Sequence, residues 1–547
     1  MRSVYTLSLT IFLTITSLSF SQSITTENIQ NAEKIIGLEF NDAERDSMLS
    51  DLDSQLVNYK HLREIDLKNS VPPAILFNPI PVGFEFSKEQ KQIKFSNYSN
   101  TKLPQDINDL AFYSIGELAE LIKTKQITST KLTKFFLERL KKYDPALHCV
   151  ITLTEERALK QAKLMDKEIS EGKYRGMLHG IPFGVKDLLA TKDYKTTWGA
   201  VPFKDQMIDE DATVIKKLED AGAVLCAKLT MGALAMGDVW FGGMTRNPWD
   251  TTQGSSGSSA GSASSVSAGL LPFAIGTETW GSIVSPSTVC GTTGLRPTYG
   301  RVSRTGAMAL SWSMDKIGPI SRNAEDLAIV FNVIKGPDGT DQTLYDVPFN
   351  YQPQIDFSKL KIGYLKSDFE KNYDFHSQDS VTLAKLRELG AELIPIELPS
   401  LPVNDLAIIL SAEAGAAFDK LTRSNMDDLL VRQTKDAWPN IFRASRFIPA
   451  VEYINANRVR FLLIQQMGKL MEQIDLLVAP SWEGNSSLLT NLSGHPCVVL
   501  PNGFSEDGTP TSITFIGRLF DEGRLIAFAK KYQDATDFHK KHPKNFK

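Results

Sequence analysis

Residues Gly254–Ser287 read GSSGSSAGSASSVSAGLLPFAIGTETWGSIVSPS. The first twelve have the composition of a flexible linker. A linker continues into polar, unstructured sequence. Here the run passes straight into Ala268–Ile275, whose residues are small and apolar enough for a core. The stretch therefore belongs inside a folded domain, and its serines need a chemical or packing reason to be there.

Two chemical readings compete. Gly257-Ser-Ser259-Ala-Gly261 matches G-x-S-x-G, in which glycines let a sharp strand-to-helix turn expose the serine between them. Ser259 would then need a histidine base. Of the downstream histidines, His376 lies in a polar stretch and His539 and His542 in the lysine-rich tail, which leaves His495. The second reading uses a lysine. In GMLHGIPFGVKDLLATKD, Lys186 ends an apolar, strand-like run. Apolar surroundings strip hydration from the ammonium and lower its pKa, so the amine can serve as the base that activates a serine. The plainer alternatives are a strand-end ion pair between Lys186 and Asp187, and a purely structural His179.

Taken together, YRGMLHGIPFGVKDLL, the Gly254–Ser287 stretch with its continuation to Ser303, SMDKIGPISRNAEDLA and NLSGHPCVVLPNGFSEDGTPTSITFIGRLFDEGRLIAFA resemble the amidase signature family, from about Leu110 to Phe538. The resemblance implies an α/β fold, an α/β/α sandwich around a large mixed β-sheet. It also implies a Ser–cis-Ser–Lys machinery, with Lys186 as base and Ser282 as the acylated nucleophile. The bridging serine, held in a cis peptide, is Ser255 by the GSSG string but Ser258 by its spacing to Ser282. Ser258 also aligns Ser262, Ala263, Val266, Gly269 and Leu270 with the family pattern, so Ser258 is preferred, with Ser259 beside it. Backbone N–H groups of Thr279, Trp280, Gly281 and Ser282 would form the oxyanion hole. The chemistry implied is acyl transfer to serine and then to water, with neither metal nor organic cofactor. Two departures stand out: the family usually has glycine at the place of Trp280 and arginine at that of Val284. These substitutions are expected to narrow the acyl pocket and favour uncharged, apolar acyl groups.

Outside this region the chain is less specific. MRSVYTLSLTIFLTITSLSFSQS has a cation at Arg2, an apolar middle and small residues at Ser19 and Ser21, the layout of a secretory signal peptide over residues 1–21. Residues 22–106 read as a helical extension and connector. Met48, Leu49, Leu52, Leu56 and Tyr59 fall on one helical stripe after an Asn41/Glu44 capping box, and the prolines of VPPAILFNPIPVGF preclude a helix. Residues 107–547 form the main domain, in which strand-like and helical segments alternate. A Ser114/Glu117 capping box opens one helix, and Pro145 is expected to end the next.

The bulk numbers exclude several function classes. At 547 residues and 42% hydrophobic, the chain can bury a large core without cross-links. A net charge of −4 gives no basic footprint, so nucleic acid is not an expected partner. Cys149, Cys226, Cys290 and Cys497 are widely spaced, which fits buried thiols better than a zinc site or a disulfide framework. The expectation is an exported enzyme acting on a small-molecule amide, with no stable membrane insertion once the signal is cleaved. The alternatives are an esterase using Ser259 and a binding protein on an amidase scaffold.

Overall fold

Segments such as Pro182–Lys186 and Val224–Leu229 carry near-continuous apolar side chains rather than alternating ones, the pattern of strands covered on both faces. The computed structural model describes residues 24–547. In chain order its strands begin β1 Val150–Leu153, β2 Pro182–Lys186, β3 Val224–Leu229, β4 Val239–Trp240, β5 Gly243–Met244, β6 Phe273–Glu278 and β7 Thr293–Arg296. They continue with β8 Lys316–Ser321, β9 Lys361–Leu365, β10 Glu392–Ile396, β11 Leu476–Pro480, β12 Cys497–Phe504 and β13 Pro510–Gly517. Among the described residues, eleven strands join one mixed sheet in the order β1-β3-β2-β6-β8-β7-β12-β13-β11-β9-β10, while β4 and β5 pair separately. β2 runs parallel to both β3 and β6, and β9 to both β10 and β11; the remaining neighbours are antiparallel.

Side chains from successive residues of one strand enter different cores, as the two-residue period of a strand requires. Phe273 and Ile275 of β6 and Val498 and Leu500 of β12 share one continuous core. Ala274 points to a second cluster, with Val224 and Leu229. Val499 and Leu477 point to a third, beyond the other half of the sheet. Helices cover both faces, giving the expected α/β/α layers.

The Gly254–Ser265 run is no linker. Ala260–Ser267 is a helix in which every residue is buried. Carbonyls satisfy three of its hydroxyls: Ser262 Oγ donates to Ile275, Ser264 Oγ to Arg246 and Ser265 Oγ to Ser262, while Ser267 Oγ is buried with no partner among the described residues. The glycines allow backbone to approach backbone. A Cβ at Gly257 would meet the Gly237 carbonyl, and one at Gly261 the Cys149 carbonyl.

Other expectations fare variously. Helix Ile115–Lys123 has its Ser114/Glu117 capping box. The next helix does not stop before Pro145 but runs from Ser129 to Leu147. In the last turn a proline forfeits one N–H donor, and the turn still closes through His148 N to the Asp144 carbonyl. All four cysteines are buried and free.

Contacts divide the chain into a unit ending at Lys68 and one spanning Asn69–Lys547. The prolines from Pro72 onward keep the connector extended, and it lies on the larger unit instead of folding with the helices before it. The smaller unit holds helices Thr26–Ile36 and Asp42–Glu64, each opened by a capping box, the second being the Asn41/Glu44 pair. Arg45 grips Glu33 through Nε and Nη2, both at 2.8 Å. Met48, Leu49, Leu52 and Leu56 are half-buried and Tyr59 is exposed. Residues 1–21, read as a signal peptide, lie outside the described residues. Among the described residues, no helix is long and apolar enough to cross a membrane.

Candidate active site

β2 and β6 are parallel neighbours, with Val185 opposite Ile275, so their carboxyl ends emerge side by side. That edge is where open α/β sheets place their ligand crevices. Lys186 closes β2 there, fully buried. Its Nζ lies 2.7 Å from Ser258 Oγ, 2.9 Å from Thr277 Oγ1 and 3.3 Å from Ser259 Oγ. Burial pushes the Lys186 amine down to about 7, against the opposing pull of Asp315 and Glu278. The expected alternative, an ion pair with Asp187, does not form. Asp187 Oδ1 stands 2.9 Å from Lys228 Nζ, and Oδ2 accepts from Thr197 N at 2.8 Å.

The one cis peptide bond among the described residues is Gly257–Ser258. Of the two serines considered for the bridging position, Ser258 is the one in contact with Lys186, while the Ser255 hydroxyl donates to the Ser256 carbonyl. Ser259 is fully buried and locked. Its Oγ accepts from Thr277 N and donates to Thr277 O, both at 3.1 Å. With its proton committed, Ser259 can only accept from Lys186. It is not the exposed serine of an elbow, and its would-be base is engaged elsewhere. His495 Nδ1 bonds Ser493 Oγ at 2.9 Å, and burial pushes the ring down to about 3. His179 is structural, its Nε2 on the Met165 carbonyl at 3.0 Å.

A neutral amine has two N–H bonds and one lone pair. If Thr277 and Ser259 accept the two N–H bonds, the lone pair faces the Ser258 proton.

Ser282 sits in the turn after β6. Its carbonyl accepts from Ser259 N at 3.1 Å, which ties this turn to the Ser258–Ser259 segment at the start of helix Ala260–Ser267. Its hydroxyl bonds none of the described residues, and the side chain keeps 8% exposure where Lys186 and Ser258 keep none. Among the described residues, the amides of Thr279, Trp280, Gly281 and Ser282 also have no acceptor, whereas the next two, Ile283 and Val284, donate to Glu278 Oε2 at 2.8 and 3.0 Å. This run of free N–H groups beside a serine hydroxyl makes a suitable cradle for a developing oxyanion. Gly281 takes the left-handed conformation, φ 86°, and Trp280 does not, so tryptophan is unstrained there.

Thr277, Glu278, Arg296, Asn491 and Asp315 are polar residues of this site that the motifs did not single out. Glu278 is fully buried and accepts from Arg296 Nη1 at 2.7 Å and Asn491 Nδ2 at 2.9 Å through Oε1. Burial alone would raise its carboxyl, but Arg296 and the surrounding donors outweigh it and hold it at about 2. Asp315 accepts from Thr279 Oγ1 at 2.5 Å and from the Leu310 and Ser311 amides. The available signal was Glu278, the lone charged residue of the Gly254–Ser287 stretch.

A cavity of about 1470 Å³, mainly apolar in lining, reaches Thr277, Thr279 and Asp315. Trp280 and Val284 do not line it: Trp280 is 46% exposed, and Val284 packs into the core with Met314 and Leu488. Neither side chain therefore shapes this cavity. Among the described residues no cluster of His, Cys, Asp and Glu could hold a metal ion.

The family model for amidases matches residues 131–487. The chain belongs to the amidase family. As an amidase it is an enzyme of C–N amide bonds, and known relatives span most of its length. A glutamyl-tRNA(Gln) amidotransferase subunit of Coxiella burnetii (strain Dugway 5J108-111) is 34% identical over 481 residues, covering 79% of this amidase and 99% of that protein. Among solved structures, an amidase family protein from Bacillus anthracis str. Ames superposes with a TM-score of 0.72 at 28% identity, covering 80% of this chain and 93% of its own. The native peptide amidase of Stenotrophomonas maltophilia gives 0.71 at 29% identity, over 79% and 98%.

Proposed function

We propose that this amidase is an exported serine amidohydrolase that hydrolyses a small carboxamide through an acyl-enzyme on Ser282. The contact between Lys186 Nζ and Ser258 Oγ, with the amine titrating near 7, carries the reading. Neutral Lys186 takes the Ser258 proton while Ser258 takes that of Ser282, and Ser282 Oγ attacks the amide carbon. The oxyanion is received by amides from the run Thr279, Trp280, Gly281 and Ser282, each such donor being worth about 3 kcal/mol in typical hydrolases. Collapse breaks the C–N bond, and the proton held at Lys186 returns through Ser258 to the leaving amine. Water, deprotonated by the same relay, attacks the ester; the acid leaves and Ser282 regains its proton.

Export rests on the layout of residues 1–21. It is tested by fractionating cells and sequencing the mature N-terminus. Uncut protein retained with the cytosol would overturn it. The chemistry is tested with a fluorophosphonate probe and mass spectrometry of the labelled peptide. A label on Ser282 that disappears in Lys186→Ala supports the mechanism. A label on Ser259 that survives the change moves the case to the esterase reading.

A second reading follows from the relative of 34% identity, which belongs to an amidotransferase. Here the same acyl chemistry would release ammonia from glutamine for a partner. Glutaminase activity exceeding that on simple amides would favour it.

A further inference from the structure

The cavity above Thr277 and Thr279 has a wall that the motifs do not supply. Residues 69–78 of the connector, Val71 apart, line it. They are pinned at both ends. The Asn69 side-chain amide donates to the Ala309 carbonyl at 2.8 Å and accepts from the Ala309 amide at 2.7 Å. Eight residues on, the Phe77 ring lies edge-on to Tyr299, centroids 4.9 Å apart, with the Arg460 guanidinium 3.6 Å from its centroid. Asn78 then accepts from Tyr345 OH at 3.1 Å. Between the pins, Ser70–Leu76 makes no hydrogen bond to any described residue, and Pro72–Pro73 keeps it extended. Ile75 and Leu76 stay 87% and 42% exposed. Ile454 and Phe461, exposed residues of helix Ala450–Gln473, line the same cavity.

A segment held at both ends, stiffened by proline and presenting large apolar side chains to the passage is built to contact what passes. We infer that Ser70–Leu76 is a specificity wall which, with Ile454 and Phe461, binds a bulky apolar group on the substrate amide. Ile75 and Leu76 are the determinants. This rests on the amidohydrolase reading and extends it to the substrate class: uncharged amides with an aromatic or branched apolar substituent, recognised by the connector rather than by the Trp280 turn.

The test compares acetamide, benzamide and 2-naphthamide as substrates of the wild type and of Ile75→Ser/Leu76→Ser. Both positions are exposed, and unchanged thermal unfolding verifies the fold. The wild type should prefer the aromatic amides through KM. Losing the apolar contact should raise KM for 2-naphthamide by about tenfold, with kcat and the acetamide KM unchanged. An unchanged naphthamide KM, or an equal rise for acetamide, overturns the wall. Dissociation constants of the same amides for Ser282→Ala, with and without the connector substitutions, answer the question even without turnover: tenfold weaker naphthamide binding supports the wall, and equal binding overturns it. Fluorophosphonate labelling separates the two readings. A wild type unlabelled at Ser282 fails the amidohydrolase reading, whereas a labelled enzyme without the KM change fails the wall alone.

Discussion

Lys228 Nζ stands 2.9 Å from Asp187 Oδ1, with both side chains fully buried, so the carboxylate next to Lys186 in sequence is neutralised by a different lysine. Lys186 is thereby left to hydroxyl partners. Removing one member of a buried pair leaves an uncompensated charge, at a cost of about 3–5 kcal/mol. Lys228→Met is expected to lower stability by that amount in urea unfolding, and adding Asp187→Asn should recover part of it.

The pH dependence follows from Lys186. Its folded amine loses its proton near 7, far below an ordinary lysine. The base is active when neutral, so kcat/KM should rise with pH through an apparent pKa of about 7 and level off above it. The unfolded chain holds this proton more tightly, so the group's contribution to stability increases as pH rises from about 7 toward the ordinary lysine range. A flat profile between pH 5.5 and 8.5 would remove Lys186 as the base.

Glu278 holds the nucleophile turn through the Ile283 and Val284 amides and anchors it to Arg296 and Asn491. Glu278→Gln turns an amide N–H₂ toward donors and leaves Arg296 unpaired. Stability should fall by about 3–5 kcal/mol. Adding Arg296→Met should restore part of the stability but not kcat, because the turn stays unanchored while KM changes little. Full recovery of kcat in the double variant would make Glu278 merely structural.

Ser259 and Ser282 are separable. Ser259→Ala strips Thr277 of a buried donor and acceptor, costing about 1–3 kcal/mol, and should leave fluorophosphonate labelling of Ser282 in place. Ser282→Ala should abolish labelling with the melting temperature nearly unchanged.

Trp280 is half exposed and has ordinary backbone angles. Trp280→Gly keeps the amide and removes only surface. Its effect on stability should stay within about 1 kcal/mol, and the KM order among amides should not change. A reversed order would return Trp280 to the substrate.

Much of this site was legible. Lys186 stood out as a charge closing an apolar run, and the small-residue helix could be placed in a core because an apolar strand follows it. The choice between Ser255 and Ser258 turned on spacing, and the lysine contact falls on Ser258. What stayed hidden depends on distant partners. Glu278 earns its role only when Arg296 on β7 and Asn491 after β11 reach it, and no local pattern reports that meeting. Trp280 and Val284 drew attention as departures in a motif, yet a string does not show which way a side chain points. The connector's prolines said extended chain; that it lines the cavity is a tertiary fact.

The Ala260–Ser267 helix and its neighbours are packed main chain to main chain, with the Gly237 and Cys149 carbonyls already where a methyl would go. Large cores absorb a mutation by shifting a leucine or methionine into new space; this one has no such reservoir, and its added volume must be taken up by the backbone that carries Ser258. A saturation screen would accordingly show the reverse of what low complexity suggests: the most monotonous stretch of the chain would tolerate the fewest replacements.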